Sequence, residues 1–178
     1  MPTTFTRFPS PLGELVLTAS ETALTGIYFP TSRHVPPLHD VERGSGGEVR
    51  SGEVERASGG EILARTCDQL AAYFARTRTT FDLPLEPSGT PFELRVWEEL
   101  RAIPFGATRS YSEIARRLGD VRSTRAVGAA NGKNPIPIIV PCHRVVGANG
   151  ELTGFGGGLD RKRWLLEHEG ALLGLGRA

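Results

Sequence analysis

The sequence predicts an α/β chain, α+β in arrangement, built in two parts: a small β-sheet with one helix over residues 1–87, then a mainly helical part with a helix-turn-helix over 88–178. Three observations predict it. Two strand-like runs divided by turn residues open the chain. A polar, glycine-rich stretch then leads into an amphipathic run. In the second half, helix-start patterns stand at Thr90 and Ser110, and the second passes through a short turn into a further helix.

Residues Thr3–Thr18 alternate loosely around the turn signal Pro9-Ser10-Pro11-Leu12-Gly13, and Leu24 to Phe29 is a second strand-like run. Together they read as a hairpin or meander. From Pro36 to Gly60 the chain is polar and rich in Gly and Ser, with little to bury, and a mobile loop is expected. Ile62, Leu63, Leu70, Tyr73 and Phe74 fall at helical spacing and predict a helix over Ile62–Arg76. Cys67 lies inside it with no histidine within a turn, so it reads as structural. Phe81 to Leu85 is a short strand candidate. Nothing before Pro87 carries chemistry, and this half reads as a scaffold.

Thr90-Pro91-Phe92-Glu93 places an N-cap Thr, a Pro at the first helical position and a Glu at the third. That is a capping box, in which side chains satisfy amides the first turn leaves open. Phe92, Val96, Leu100 and Ile103 make one apolar stripe before Pro104-Phe105-Gly106 ends the helix. Ser110-Tyr111-Ser112-Glu113 is a second box, with Ile114, Ala115 and Leu118 as the buried face and Gly119 as the stop. After Asp120-Val121-Arg122 comes a helix over Ser123 to Gly132, completing the outline of a helix-turn-helix. Its Ala126, Gly128, Ala129 and Ala130 are small, and Gly128 costs about 1 kcal/mol of helix propensity relative to Ala. Such a face suits close packing on a neighbouring helix or close approach to nucleic acid. Arg125 is either a solvated arginine or one that reaches into DNA. Asp160 is expected to cap a last helix, Arg161 to Glu169, stopped by Gly170; the Leu-Gly repeats beyond read as a frayed tail.

Composition narrows the class. With 39% hydrophobic and 23% charged residues the chain is of the soluble globular kind. No apolar stretch approaches a membrane span, and the N-terminus lacks a secretory pattern. Cys67 and Cys142 offer neither a disulfide framework nor a CxxC metal spacing, and the first half holds no cysteine–histidine cluster; no metal is expected, and no cofactor. A cytoplasmic, reducing setting suits a thiol that must stay unoxidised. Residues 1–87 hold 8 Arg against 11 Asp and Glu, whereas 88–178 hold 13 Lys and Arg against 9 Asp and Glu. The second half therefore permits a polyanionic partner without requiring one. Only Lys133 and Lys162 are lysines, to which composition alone assigns no role.

Chemistry concentrates at Asn134 to Gly147, Asn-Pro-Ile-Pro-Ile-Ile-Val-Pro-Cys-His-Arg-Val-Val-Gly. Its prolines fix φ and remove backbone donors, so the run is neither helix interior nor central strand. It delivers Cys142 directly before His143. Residue types alone admit two readings, a presented nucleophile or a small core thiol. As a nucleophile the sulfur needs a base, and His143 needs an acceptor to fix its tautomer, which Glu169 can supply. Adjacent side chains on an extended chain diverge, so either a turn begins at Cys142 or water bridges the pair. The glycine-rich segment Gly147 to Gly158, with Phe155 as its aromatic, lacks the order of a phosphate cradle.

That run, with Gly154-Phe-Gly-Gly-Gly-Leu159, Trp164-Leu-Leu-Glu-His-Glu-Gly170 and the Val96-Trp97, Ile103–Gly106 and Tyr111 positions, closely resembles the methylated-DNA–protein-cysteine methyltransferases, or O6-alkylguanine-DNA alkyltransferases. The resemblance covers the last half of the chain, which it implies is winged-helix-like. The first half fits the family's variable N-terminal domain. What it implies is repair by direct reversal on double-stranded DNA. The chain, a monomer, approaches from the minor groove, flips an O6-alkylguanine (or an O4-alkylthymine) and takes the alkyl group onto Cys142, once per molecule. Catalysis would fall to Cys142, His143, Glu169 and Asn134. Arg125 would fill the vacated stack, Ala126 and Gly128 would face the groove, and Tyr111 would donate to the leaving guanine. Val145, Phe155 and Gly156 would complete the base site. Phe155 stands where many relatives carry Tyr, Gly156 where some carry Ser, and Thr124 where some carry a smaller residue. The reading expects an exposed, charged sulfur. A cysteine hydrolase and a module that binds alkylated DNA without transfer are the alternatives.

Overall fold

In a computed structural model the chain divides into two compact units, Met1–Pro87 and Ser88–Ala178. The structure describes residues 4–30 and 60–174. The expected loop at 36–59 lies outside the described residues, and Gly60 already begins a helix.

The first unit is an antiparallel meander, β1 (Thr4–Ser10), β2 (Gly13–Ala19) and β3 (Leu24–Tyr28), in that order across the sheet. Ser10 Oγ accepts the Leu12 amide at 3.1 Å and Gly13 takes φ 100°, which closes the first turn without a Cβ clash. In β2 the alternating Leu15, Leu17 and Ala19 are fully buried. Helix α1 (Gly60–Phe74) lies against this sheet through Ile62, Leu63, Thr66, Leu70 and Tyr73. It starts two residues earlier than its apolar pattern suggests, and it ends two residues earlier because Arg76 turns into the left-handed region at φ 61°.

The strand expected at Phe81–Leu85 does not form; a single parallel bridge joins Leu85 to Leu24. Gln69 explains the difference. Its amide donates to the Asp82 carbonyl at 2.9 Å and its carbonyl accepts the Asp82 amide at 2.8 Å, standing in for a neighbouring strand. Pro84 then removes one more donor.

In the second unit α2 (Pro91–Arg101) and α3 (Tyr111–Arg117) both start with the capping boxes read from the sequence, Thr90 with Glu93 and Ser110 with Glu113. Helix α2 buries Val96, Trp97 and Leu100, and Trp97 Nε1 donates to the Ala130 carbonyl at 2.9 Å. That bond ties it to α4 (Thr124–Gly132), which buries Val127, Ala130 and Asn131. Gly119 at φ 96° ends α3, and a 3-10 turn at Val121–Ser123 links it to α4, giving the helix-turn-helix. Two short strands, β4 (Arg109–Ser110) and β5 (Val145–Val146), pair in parallel. The last helix, α5 (Leu159–His168), begins after Gly158 with no side-chain cap, so Asp160 sits inside its first turn rather than capping it. Glu169 is its C-cap and Gly170, at φ 73°, its stop. Residues Ala171–Gly174 form a 3-10 turn rather than a frayed end, with Ala171 buried against Val146 and Leu166.

Candidate active site around Cys142

The run before Cys142 is held in shape by Asn134. Its Oδ1 accepts the Ile136 amide at 3.0 Å and its Nδ2 donates to the Val140 carbonyl at 2.7 Å, so one carboxamide spans the loop. Between them Ile138 sits at φ 76°, a conformation that β-branched residues avoid and that costs of order 1–3 kcal/mol. The loop tolerates this because Ile136, Ile138, Ile139 and Val140 are buried.

A 3-10 turn begins at Cys142 and covers Cys142–Arg144, closed by the Arg144 amide on the Pro141 carbonyl at 3.0 Å. A turn therefore does begin at Cys142, yet it brings no His143 nitrogen onto the thiol, because Nε2 faces Glu169 and Nδ1 has no hydrogen-bond partner. It sends His143 and Arg144 together toward Glu169. His143 Nε2 lies 2.8 Å from Glu169 Oε1, and Arg144 reaches the same carboxylate through Nε at 2.8 Å and Nη2 at 3.0 Å. Burial pushes the Glu169 carboxyl up, but the hydrogen bonds from His143 and Arg144 win and hold it well below the usual carboxylate range. Burial pushes His143 down, against the pull of Glu169. An ionised carboxylate facing a neutral imidazole makes Nε2 the donor. Nδ1 is then a bare acceptor, and it is buried without a hydrogen-bond partner.

Cys142 departs from expectation. It is 3% exposed rather than open, and burial pushes its thiol up to about 11, so at rest it is neutral. Its setting is nonetheless polar. The Asn134 side chain, the Lys162 charge and the amides of Cys142 and His143 all pull the thiol back toward the thiolate. Tyr111 is half-buried, and its hydroxyl donates to the Thr153 carbonyl at 2.9 Å. Arg125 and Ala126 are exposed on α4, and Gly128 lies near the Tyr111 ring. Phe155 is half-buried and Gly156 exposed in the glycine-rich segment. Val145 is fully buried in β5.

Comparison with known proteins places this arrangement. The models of the 6-O-methylguanine DNA methyltransferase ribonuclease-like domain and DNA binding domain match residues 4–87 and 91–171. A methylated-DNA–protein-cysteine methyltransferase of Mycobacterium tuberculosis is 46% identical over 166 residues, covering 90% of this chain and 88% of its own. The chain belongs to the methylated-DNA–protein-cysteine methyltransferase family. A member from Methanosarcina acetivorans is 43% identical over 164 residues, covering 92% of this chain and 96% of its own. A crystal structure of Mycobacterium tuberculosis OGT in complex with DNA is similar at 42% identity and a TM-score of 0.76, covering 94% and 92% of the two chains.

In this methyltransferase-family chain, sequence reasoning passed over Lys162. Its ammonium is fully buried and donates to the Val145 carbonyl at 2.5 Å and the Thr153 carbonyl at 2.6 Å. Burial lowers it to about 8, with Cys142 opposing. It lies 5.8 Å from the Tyr111 ring centroid, so lysine and tyrosine meet on Thr153 and tie the glycine-rich segment to β5. The available signal was rarity, since lysine occurs twice in a chain of arginines. Asn131 was also missed; its Nδ2 donates to the Cys142 carbonyl at 3.4 Å, and its buried Oδ1 has no hydrogen-bond partner. A cleft of about 390 Å³ lined by Arg109, Ser112, Arg116 and Gly147 does not include Cys142.

Proposed function

We propose that Cys142 is the acceptor through which this protein repairs DNA by alkyl transfer, attacking the alkyl carbon of an O6-alkylguanine turned out of the duplex. The observation that carries the assignment is the state of His143. Its Nε2 is committed to Glu169 and its Nδ1 is an unpaired acceptor on the residue next to the thiol. Burial holds the thiol protonated at neutral pH, so deprotonation accompanies transfer. The thiol proton passes to His143 Nδ1 through water. The sulfur–carbon bond forms as the carbon–oxygen bond breaks, and the guanine leaves as an anion that takes a proton from solvent, while His143 returns the thiol proton to solvent. Tyr111 donates to that guanine, exchanging its bond to Thr153. The thioether does not revert, so each molecule acts once.

The helix-turn-helix brings the DNA. Arg125 and Ala126 are exposed on one face of α4. A Cβ added at Gly128 would meet only the Tyr111 ring, at 3.8 Å, an ordinary contact. Internal packing therefore does not demand glycine there, which supports close approach to a minor groove instead. Arg125 fills the stack left by the extruded base, whose extrusion costs a few kcal/mol. Val145, Phe155 and Gly156 line the base site, and binding weakens as salt rises because phosphate contacts release counterions. No described helix is long and apolar enough to cross a membrane, and the need of a cysteine nucleophile to stay unoxidised supports a cytoplasmic setting. The family assignment and the presence of Cys142 favour transfer over a hydrolase or a module that only binds.

Intact-mass spectrometry after mixing with an O6-methylguanine duplex tests the reading. A gain of one methyl group per protein is expected. Unchanged mass, or repeated turnover, would contradict it.

A further inference from the structure

Glu169 receives more donors than orienting one histidine requires. His143 Nε2 and Arg144 Nη2 share Oε1 at 2.8 and 3.0 Å, while Arg144 Nε and the Gly106 amide share Oε2 at 2.8 and 3.3 Å. Arg144 is 6% exposed, and its remaining nitrogen, Nη1, donates to the Ile103 carbonyl at 2.6 Å. Its guanidinium also lies 5.9 Å from the Phe105 ring centroid. One side chain therefore grips both the carboxylate and the turn that supplies the fourth donor. For stability alone this is a poor device, because well-packed apolar residues of similar volume often do as well as a buried ion pair.

The consequence falls on His143. An imidazole alone with a buried carboxylate is driven toward imidazolium, the form that cannot accept a proton. A fixed cation on the same carboxylate opposes this. The charged groups acting on His143 are Glu169, which raises its basicity, and Arg144 and Lys162, which lower it; burial acts with the two cations. We infer that Arg144 is a positioning residue for the transfer: its fork fixes Glu169 against His143 Nε2, and its charge keeps the imidazole neutral so that Nδ1 can take the thiol proton. The inference rests on the assignment of Cys142 and His143 made above.

Two variants separate charge from shape. Arg144→Gln keeps polar contacts and removes the charge, whereas Arg144→Lys keeps the charge and loses the fork. The first readout is NMR titration of the His143 ring nitrogens, which needs neither DNA nor activity. The second is the single-turnover rate of methyl transfer across pH. Arg144→Gln is expected to raise the pH at which His143 becomes imidazolium by about one unit, and to move the acid limb of the rate profile with it. Arg144→Lys is expected to leave that limb in place while lowering the rate roughly tenfold, because the carboxylate is no longer held in register. A Gln variant whose His143 titrates like wild type, or a Lys variant that transfers at the wild-type rate, overturns the inference. Should the Gln variant fail to fold, the Lys variant decides it alone. A wild-type protein that takes up no methyl group defeats the transfer reading itself, and the NMR titration keeps that failure distinct.

Discussion

The two cysteines share one large influence, burial, and differ in what else surrounds the sulfur. Burial pushes both thiols up to about 11, but at Cys67 the neighbouring Asp68 pushes in the same direction. At Cys142 every other influence, from Asn134, Lys162 and two amides, favours the thiolate. The contrast extends to the two units. Among the described residues, the first buries only neutral polar side chains, Thr18, Thr66 and Gln69. The second buries His143, Arg144, Lys162, His168 and Glu169, and among the described residues it holds the three buried side-chain atoms without a partner. Among its described residues the first unit leaves no buried side-chain polar atom without a partner. The other retains ionisable groups at some cost to stability, the pattern expected of a reactive site.

The comparison breaks most visibly at the thiols. Cys142→Ser is expected to abolish methyl transfer and to leave DNA binding near wild type, while Cys67→Ser leaves both unchanged; mass spectrometry and a binding titration check this. Next comes Glu169→Gln, which leaves Arg144 buried without its counterion. It is expected to cost about 3–5 kcal/mol of stability in denaturant unfolding and to slow transfer by roughly 10²–10⁴-fold. Its counterpart in the first unit, Gln69→Leu, should cost about 1–3 kcal/mol by stranding the Asp82 backbone groups, with no change in transfer rate.

A smaller effect is expected at Lys162. The group is charged below about pH 8 and loses its proton above it, so its support for the thiolate is present below that pH and fades as pH rises. The wild-type transfer rate should therefore level off above about pH 8, and Lys162→Arg should restore the rise. Arg125→Ala should give the smallest change, slowing duplex repair about tenfold with little effect on a free O6-alkylguanine base, because only duplex repair includes the few kcal/mol of base extrusion. Equal slowing of both substrates would remove Arg125 from that role.

Legibility followed range. Both capping boxes were readable because an N-cap and its partner lie three residues apart. The residues alone offered Glu169 only as an acid the last helix could supply to His143; the resemblance to the family singled it out. Lys162 was not readable, because its partners are backbone carbonyls of Val145 and Thr153, which leave no mark in side-chain identity. The Phe81–Leu85 strand was misread because Gln69, a polar residue on a helix, takes the hydrogen bonds a strand would have made. The exposure of Cys142 was misjudged for a related reason. A nucleophile was expected at the surface, whereas the fold buries the thiol among groups that favour its charged form.

Peptide mapping of the protein after reaction with a methylated duplex tests that claim most directly, since burial raises both thiols and only their other neighbours differ. The account predicts a single methyl group confined to the peptide carrying Cys142, with the Cys67 peptide untouched at any excess of DNA. Methyl on Cys67, or an even split between the two, would show that the surroundings of Cys142 do not select it.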